Sequence, residues 1–133
     1  MPPTTSPNIV LREVQEDVYK KYGKVAEAQV RIIPFNPSVL GFVRQSSNVI
    51  NVNAIPLNQI PSDRVHDYLY VVISHEYFHL LGIYDERETR KVTMELVDWK
   101  FGEGSYASSL AKNLAFQEDV EIMKARKMFP KFM

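Results

Sequence analysis

The sequence predicts one α+β domain, in which an N-terminal helix and a small mixed or antiparallel sheet pack on a central helix and further helices follow. Three patterns carry that prediction. Apolar residues recur at helical spacing over residues 7–22, β-branched runs with strand alternation fill residues 28–54, and a long apolar run extends from Tyr68 to Leu81. With 133 residues and 45% hydrophobic composition, the chain is long enough to bury one core and is expected to form a single domain over residues 1–133.

The first helix is expected to start at Ser6-Pro7, with Ser6 as N-cap and Pro7 at the first helical position, where its missing N–H is harmless. Ile9, Val10, Val14, Val18 and Tyr22 form its stripe, Arg12, Glu13, Glu16, Asp17 and Lys20 face water, and Gly23 ends it. Ala28 to Phe35 is rich in β-branched residues and reads as a strand closed by Pro34 and Pro37. Val39–Arg44 and Asn48–Ala54, separated by Gln45-Ser46-Ser47, read as a hairpin. The alternation in Asn48–Ala54 suits an antiparallel or edge strand, which could take an extended peptide along its edge. Ile55 to Pro61 reads as a loop.

Ser62 or Asp63 then caps a helix that runs to Leu81 and stops at Gly82. It is apolar nearly all round and is therefore expected to be buried and central. A second helix follows to about Trp99; Asp85 suits its N-cap, and a capping box with Glu88 is the plain alternative to a ligand role for these two acids. Gly102-Glu103-Gly104 is a turn before one or two C-terminal helices, whose core face is read as Tyr106, Leu110, Leu114 and Phe116. Lys124, Arg126 and Lys127 complement the dipole at their end. The apolar tail Met128–Met133 reads either as a plain terminus or as a plug for a cleft.

Composition narrows the function. Sixteen acidic and sixteen basic residues cancel without forming blocks, which argues against nucleic acid or an anionic membrane as a partner. The absence of cysteine leaves histidine and carboxylate as the strong metal ligands. The first residues lack the pattern of a secretion signal and no run is long enough for a membrane span, so a soluble cytoplasmic protein is expected.

Chemistry concentrates in His75-Glu76-Tyr77-Phe78-His79, within the central helix. Residues four apart share a helix face, so both imidazoles project together with Glu76 beside them. Two neutral imidazoles suit Zn²⁺, which in catalytic sites takes a third protein ligand and keeps one position for water. That water's pKa falls to about 7, and Glu76 is placed to take its proton. His66 lies on the opposite side of the same helix and reads as a surface residue of its first turn.

A third ligand is sought among the acids that follow. On a helical wheel centred on Val92, Glu88 falls at about −40° with Trp99 and Leu96, whereas Glu86 falls near +120° beside Thr93 and Arg90. Glu88 is therefore expected to face the core and to be the ligand. Asp85, Glu86 and Glu95 remain as alternatives, Asp85 through the spacing of a His-Glu-x-x-His-x-x-Gly-x-x-Asp zinc site.

The segment His75–Gly82 followed by Glu88 resembles the minigluzincins, small soluble archaeal zinc metallopeptidases of the gluzincin clan. The resemblance implies a zincin-type α+β fold with an N-terminal helix, a small sheet, an active-site helix and a following glutamate helix. It also implies peptidase activity on peptide or unfolded protein, and latency through self-association or obstruction by the C-terminal segment. Where many gluzincins carry an acidic or amide residue four after the glutamate ligand, this chain has Val92 after Glu88. Gly82 and Asp85 are similar instead to the metzincin pattern, but that pattern needs a methionine turn, and Met94 falls within an expected helix.

The expected function is thus a zinc-dependent peptidase in which His75, His79 and Glu88 hold Zn²⁺, Glu76 is the general base, and the Asn48–Ala54 strand lies along the substrate. Tyr84 and Tyr106 are candidates to stabilise the oxyanion. The other classes to weigh are a non-catalytic zinc-binding domain whose site is closed by a fourth protein ligand, and an autoinhibited interaction module.

Overall fold

The computed structural model describes residues 6–113 of the chain. It is an α+β fold with the order α1 (Pro7–Tyr22), β1 (Gln29–Ile33), β2 (Gly41–Val43), β3 (Val49–Asn53), α2 (Ala54–Leu57), a 3-10 turn (Ser62–Arg64), α3 (Val65–Leu80) and α4 (Glu86–Phe101). Residues 106–113 are helical after the turn at Gly102 and Gly104.

Helix α1 has the expected limits. Ser6 stands extended at the N-cap without a side-chain hydrogen bond, and Gly23 closes the helix at φ 71° with its N–H donating to the Tyr19 carbonyl at 2.8 Å. The buried stripe is rotated from the expected one: Val10, Leu11, Val14 and Val18 are buried, while Ile9 is 62% exposed. Asp17, expected in water, is 6% exposed. It tolerates burial because it accepts from the Tyr70 hydroxyl at 2.8 Å and pairs with Lys100 at 3.0 Å.

The sheet has the order β1-β3-β2, with β1 parallel and β2 antiparallel to β3. The β2–β3 hairpin forms as expected, but β3 is the central strand, with a partner on each side. The expectation that Asn48–Ala54 offers a free edge is therefore corrected: among the described residues the two edges of the sheet belong to β1 and β2. The alternation of β3 also misled, since Ile50, Asn51, Val52 and Asn53 are all buried. Both asparagines satisfy themselves. Asn51 accepts from Arg31 Nε and donates to the Phe42 carbonyl, and Asn53 binds the backbone of Phe35, Ile55, Asn36 and Val39, fixing the loop between β1 and β2. Asn53 also caps α2, which occupies part of the segment expected as a loop.

Helix α3 lies at the centre, buried without interruption from Tyr68 to Phe78, as its apolar circumference requires. Its neighbours are α1, α4 and the sheet. The Tyr77 hydroxyl accepts from the Ala26 N–H at 2.8 Å, tying the α1–β1 link to this helix. In the 106–113 helix Ala107, Ser108 and Ala111 are the buried residues, whereas the expected Tyr106 and Leu110 are half-buried. Leu114, Phe116, the basic cluster Lys124–Lys127 and the tail Met128–Met133 lie outside the described residues.

Candidate metal centre

Helix α3 carries His75, Glu76 and His79 without a break, and the two imidazoles stand edge to face with centroids 4.9 Å apart. The chain leaves the helix through Leu81 and Gly82 (φ 100°) and enters α4 at Asp85. This short link sets Glu86 opposite the imidazoles. Its Oε2 lies 3.0 Å from His75 Nε2 and its Oε1 lies 2.8 Å from His79 Nε2. The three groups offer ligand atoms within 4.8 Å of one another and could hold a metal ion.

The tautomers sharpen the chemistry. His79 Nδ1 lies 2.8 Å from the Ile83 carbonyl, which can only accept, so Nδ1 carries a proton. A neutral His79 then presents a lone pair at Nε2, aimed at a carboxylate oxygen. Burial pushes Glu86 up, but hydrogen bonds and charge from His75 and His79 outweigh it and hold the carboxyl well below the usual range. Burial likewise lowers His79, and the Glu86 hydrogen bond with the charges of Glu76 and Glu86 reverse the sign and raise it. Between His79 Nε2 and Glu86 Oε1 there must lie either a proton, which makes His79 an imidazolium, or a metal ion, which His75 Nε2 could also reach. The donor set fits the ion.

Glu88, expected as the ligand, is exposed, and its backbone N–H donates to Asp85 Oδ1 at 2.9 Å. The wheel was phased on Val92 and Trp99, yet Trp99 is 45% exposed and α4 buries Thr89, Arg90, Thr93, Leu96 and Val97. Threonine can line a core because its hydroxyl bonds its own helix: Thr93 donates to the Thr89 carbonyl at 2.7 Å. That roll brings Glu86 inward and turns Glu88 out. Asp85 serves as N-cap, as read from sequence. Glu95 is exposed, with the Tyr22 hydroxyl 3.5 Å away. Burial and the Glu95 charge push Tyr22 up to about 12.

Glu76 is 4% exposed. Beside it runs β2: a Cβ built on Gly41 would meet Val72 Cγ1 at 2.9 Å, the Asn51 carbonyl at 3.0 Å and Glu76 Cγ at 3.5 Å. Only glycine lets the strand approach the helix this closely, and an isolated glycine in a strand pattern is the sequence signal for such an approach. Of the oxyanion candidates, Tyr84 is 81% exposed. Tyr106 lies under the Arg64 guanidinium, 4.3 Å from ring centroid to Cζ, next to the N-terminus of α3 and about 15 Å along the axis from His75. Met94 lies within α4, where it forms no turn below the cluster. No family model, no curated protein and no solved structure matches this chain.

Proposed function

We propose that the chain is a zinc-dependent peptidase, with His75, His79 and Glu86 as the metal ligands. The observation that carries the reading is the convergence of three ligand atoms on one point beside a buried glutamate on the same helix. Zinc, when bound there, supplies a Lewis acid that polarises a carbonyl and acidifies water near neutral pH. Glu76 takes the proton from the attacking water and delivers it to the leaving amine. His79 is held by the Ile83 carbonyl with Nε2 toward the ligand position, and Glu86 enters the site as a full anion. Strand β2 has no strand partner on its outer edge among the described residues and runs against Glu76. An extended peptide added there by backbone hydrogen bonds would pass the general base. Unfolded or extended segments are the substrates that suit such an edge. No helix among the described residues is long and apolar enough to cross a membrane, and the balanced charge without cysteine suits a reducing cytoplasm.

Elemental analysis of purified wild type and Glu86→Ala, together with cleavage of an unfolded protein by wild type and Glu76→Gln, tests the reading. Expected are one zinc per wild-type chain, its loss in Glu86→Ala, and a cleavage rate in Glu76→Gln lowered by about 10²–10⁴-fold with zinc retained. Absence of bound zinc overturns the metal assignment. Bound zinc without cleavage under any condition overturns the peptidase and leaves a metal-binding interaction module.

A further inference from the structure

The carbonyl of Ile83 does two things at once. It accepts from His79 Nδ1 at 2.8 Å, which fixes the imidazole that faces Glu86, and it accepts from Thr89 Oγ1 at 3.2 Å. The Thr89 hydroxyl divides its single proton between Ile83 and the Asp85 carbonyl, the latter at 2.8 Å. The Asp85 bond is the ordinary one that a helical threonine makes one turn back, where the Thr89 N–H also donates at 2.9 Å. The Ile83 bond is not, because Ile83 precedes the helix and belongs to the link from α3. Thr89 is fully buried, so its hydroxyl finds no water in exchange.

We propose that Thr89 is a positioning residue of the metal centre: its hydroxyl holds the Ile83–Asp85 link so that the carbonyl orienting His79 and the start of α4 carrying Glu86 stay in register. The inference rests on the metal reading for its function, though the contact itself does not. Groups that orient a ligating histidine typically change metal affinity by about 10–100-fold when removed. Thr93 provides an internal control. It is a buried threonine on the same face, and its hydroxyl makes the ordinary helical bond to the Thr89 carbonyl.

The test compares Thr89→Val, Thr89→Ser and Thr93→Val with wild type. Zn²⁺ and Co²⁺ affinities are measured by competition with a chromophoric chelator, thermal stability is measured without metal, and the His79 Nδ1–H resonance is followed in metal-free protein. Expected for Thr89→Val is zinc affinity weaker by about tenfold or more, an altered Co²⁺ absorption spectrum, and a His79 Nδ1–H signal that is shifted or lost to exchange with water. Thr89→Ser, which keeps the hydroxyl, should restore all three. Thr93→Val should lower thermal stability while leaving affinity and the His79 signal unchanged. Wild-type affinity and an unmoved His79 signal in a folded Thr89→Val would overturn the proposal, as would an equal loss of affinity in Thr93→Val. If wild type itself binds neither ion, the metal reading fails. The metal-free His79 signal then still decides whether Thr89 holds the link, and an unmoved signal overturns it.

Discussion

His79 Nε2 and Glu86 Oε1 face each other at 2.8 Å across the turn that joins the two central helices, with the other nitrogen of the imidazole already committed to a backbone carbonyl. Glu86→Gln removes the anion from this contact, while Glu88→Gln alters only an exposed residue near the start of α4. The first substitution should weaken zinc binding by about 100-fold or more, since even the partners of ligands are worth 10–100-fold. The second should leave it unchanged. Equal affinities for wild type and Glu86→Gln in a chelator competition would remove Glu86 from the site.

Gly41 permits the contact between β2 and the face of α3 that bears Val72 and Glu76. Alanine there would overlap Val72 and the backbone of β3, costing about 1–3 kcal/mol by overpacking. It should also lower cleavage by displacing the strand proposed to hold substrate. Urea unfolding of Gly41→Ala gives the first number. A midpoint equal to that of wild type would show that the strand yields without strain.

Asp17 joins three helices, accepting from Tyr70 on α3 and pairing with Lys100 on α4 from its place on α1. Tyr70→Phe deletes one neutral donor and should cost about 1 kcal/mol. Asp17→Ala leaves the buried Tyr70 hydroxyl without its acceptor, while Lys100 keeps Glu13 at 3.3 Å, and should cost about 1–3 kcal/mol. Chemical denaturation of the two variants and their double mutant measures the coupling. Additive costs would mean that the hydroxyl and the carboxylate do not act together.

His66 sits between carboxylates, with Nε2 3.0 Å from Glu13 and Nδ1 3.0 Å from Asp67. Burial works against its charge, but the hydrogen bonds to Glu13 and Asp67 outweigh it and raise its pKa above the ordinary value. A raised folded-state pKa stabilises fully below the unfolded value near 6.5, and the contribution is lost as pH rises through the folded value. His66→Gln should therefore lower Tm more at pH 5.5 than at pH 9. The difference should be only a few degrees, about what a solvent-screened ion pair contributes. The ring's contact with Phe101, centroids 6.1 Å apart, is independent of pH and drops out of that comparison. Equal losses at the two pH values would rule out the charged pairing.

Much of this arrangement was legible in local patterns. The limits of α1 followed from Pro7 and Gly23, the burial of α3 from its apolar circumference, the cap of α4 from Asp85, and the shared face of His75 and His79 from their spacing. Each is settled within one or two helical turns, where sterics and backbone hydrogen bonding act on neighbours in the chain.

Two features of the candidate site were decided only by the tertiary fold. The roll of α4 selects Glu86 over Glu88, and it depends on Thr89 and Thr93 quenching their own hydroxyls while Trp99 stays half in water, a choice that a hydrophobic wheel cannot see. The sheet order makes β3 central and leaves β2 on the edge nearer Glu76, and it depends on β1 pairing directly and in parallel with β3 although β2 lies between them in the chain. Sequence determined that two imidazoles share one face of the central helix. Packing between distant segments determined which carboxylate reaches them and which strand runs beside Glu76, because those outcomes turn on the mutual fit of whole elements.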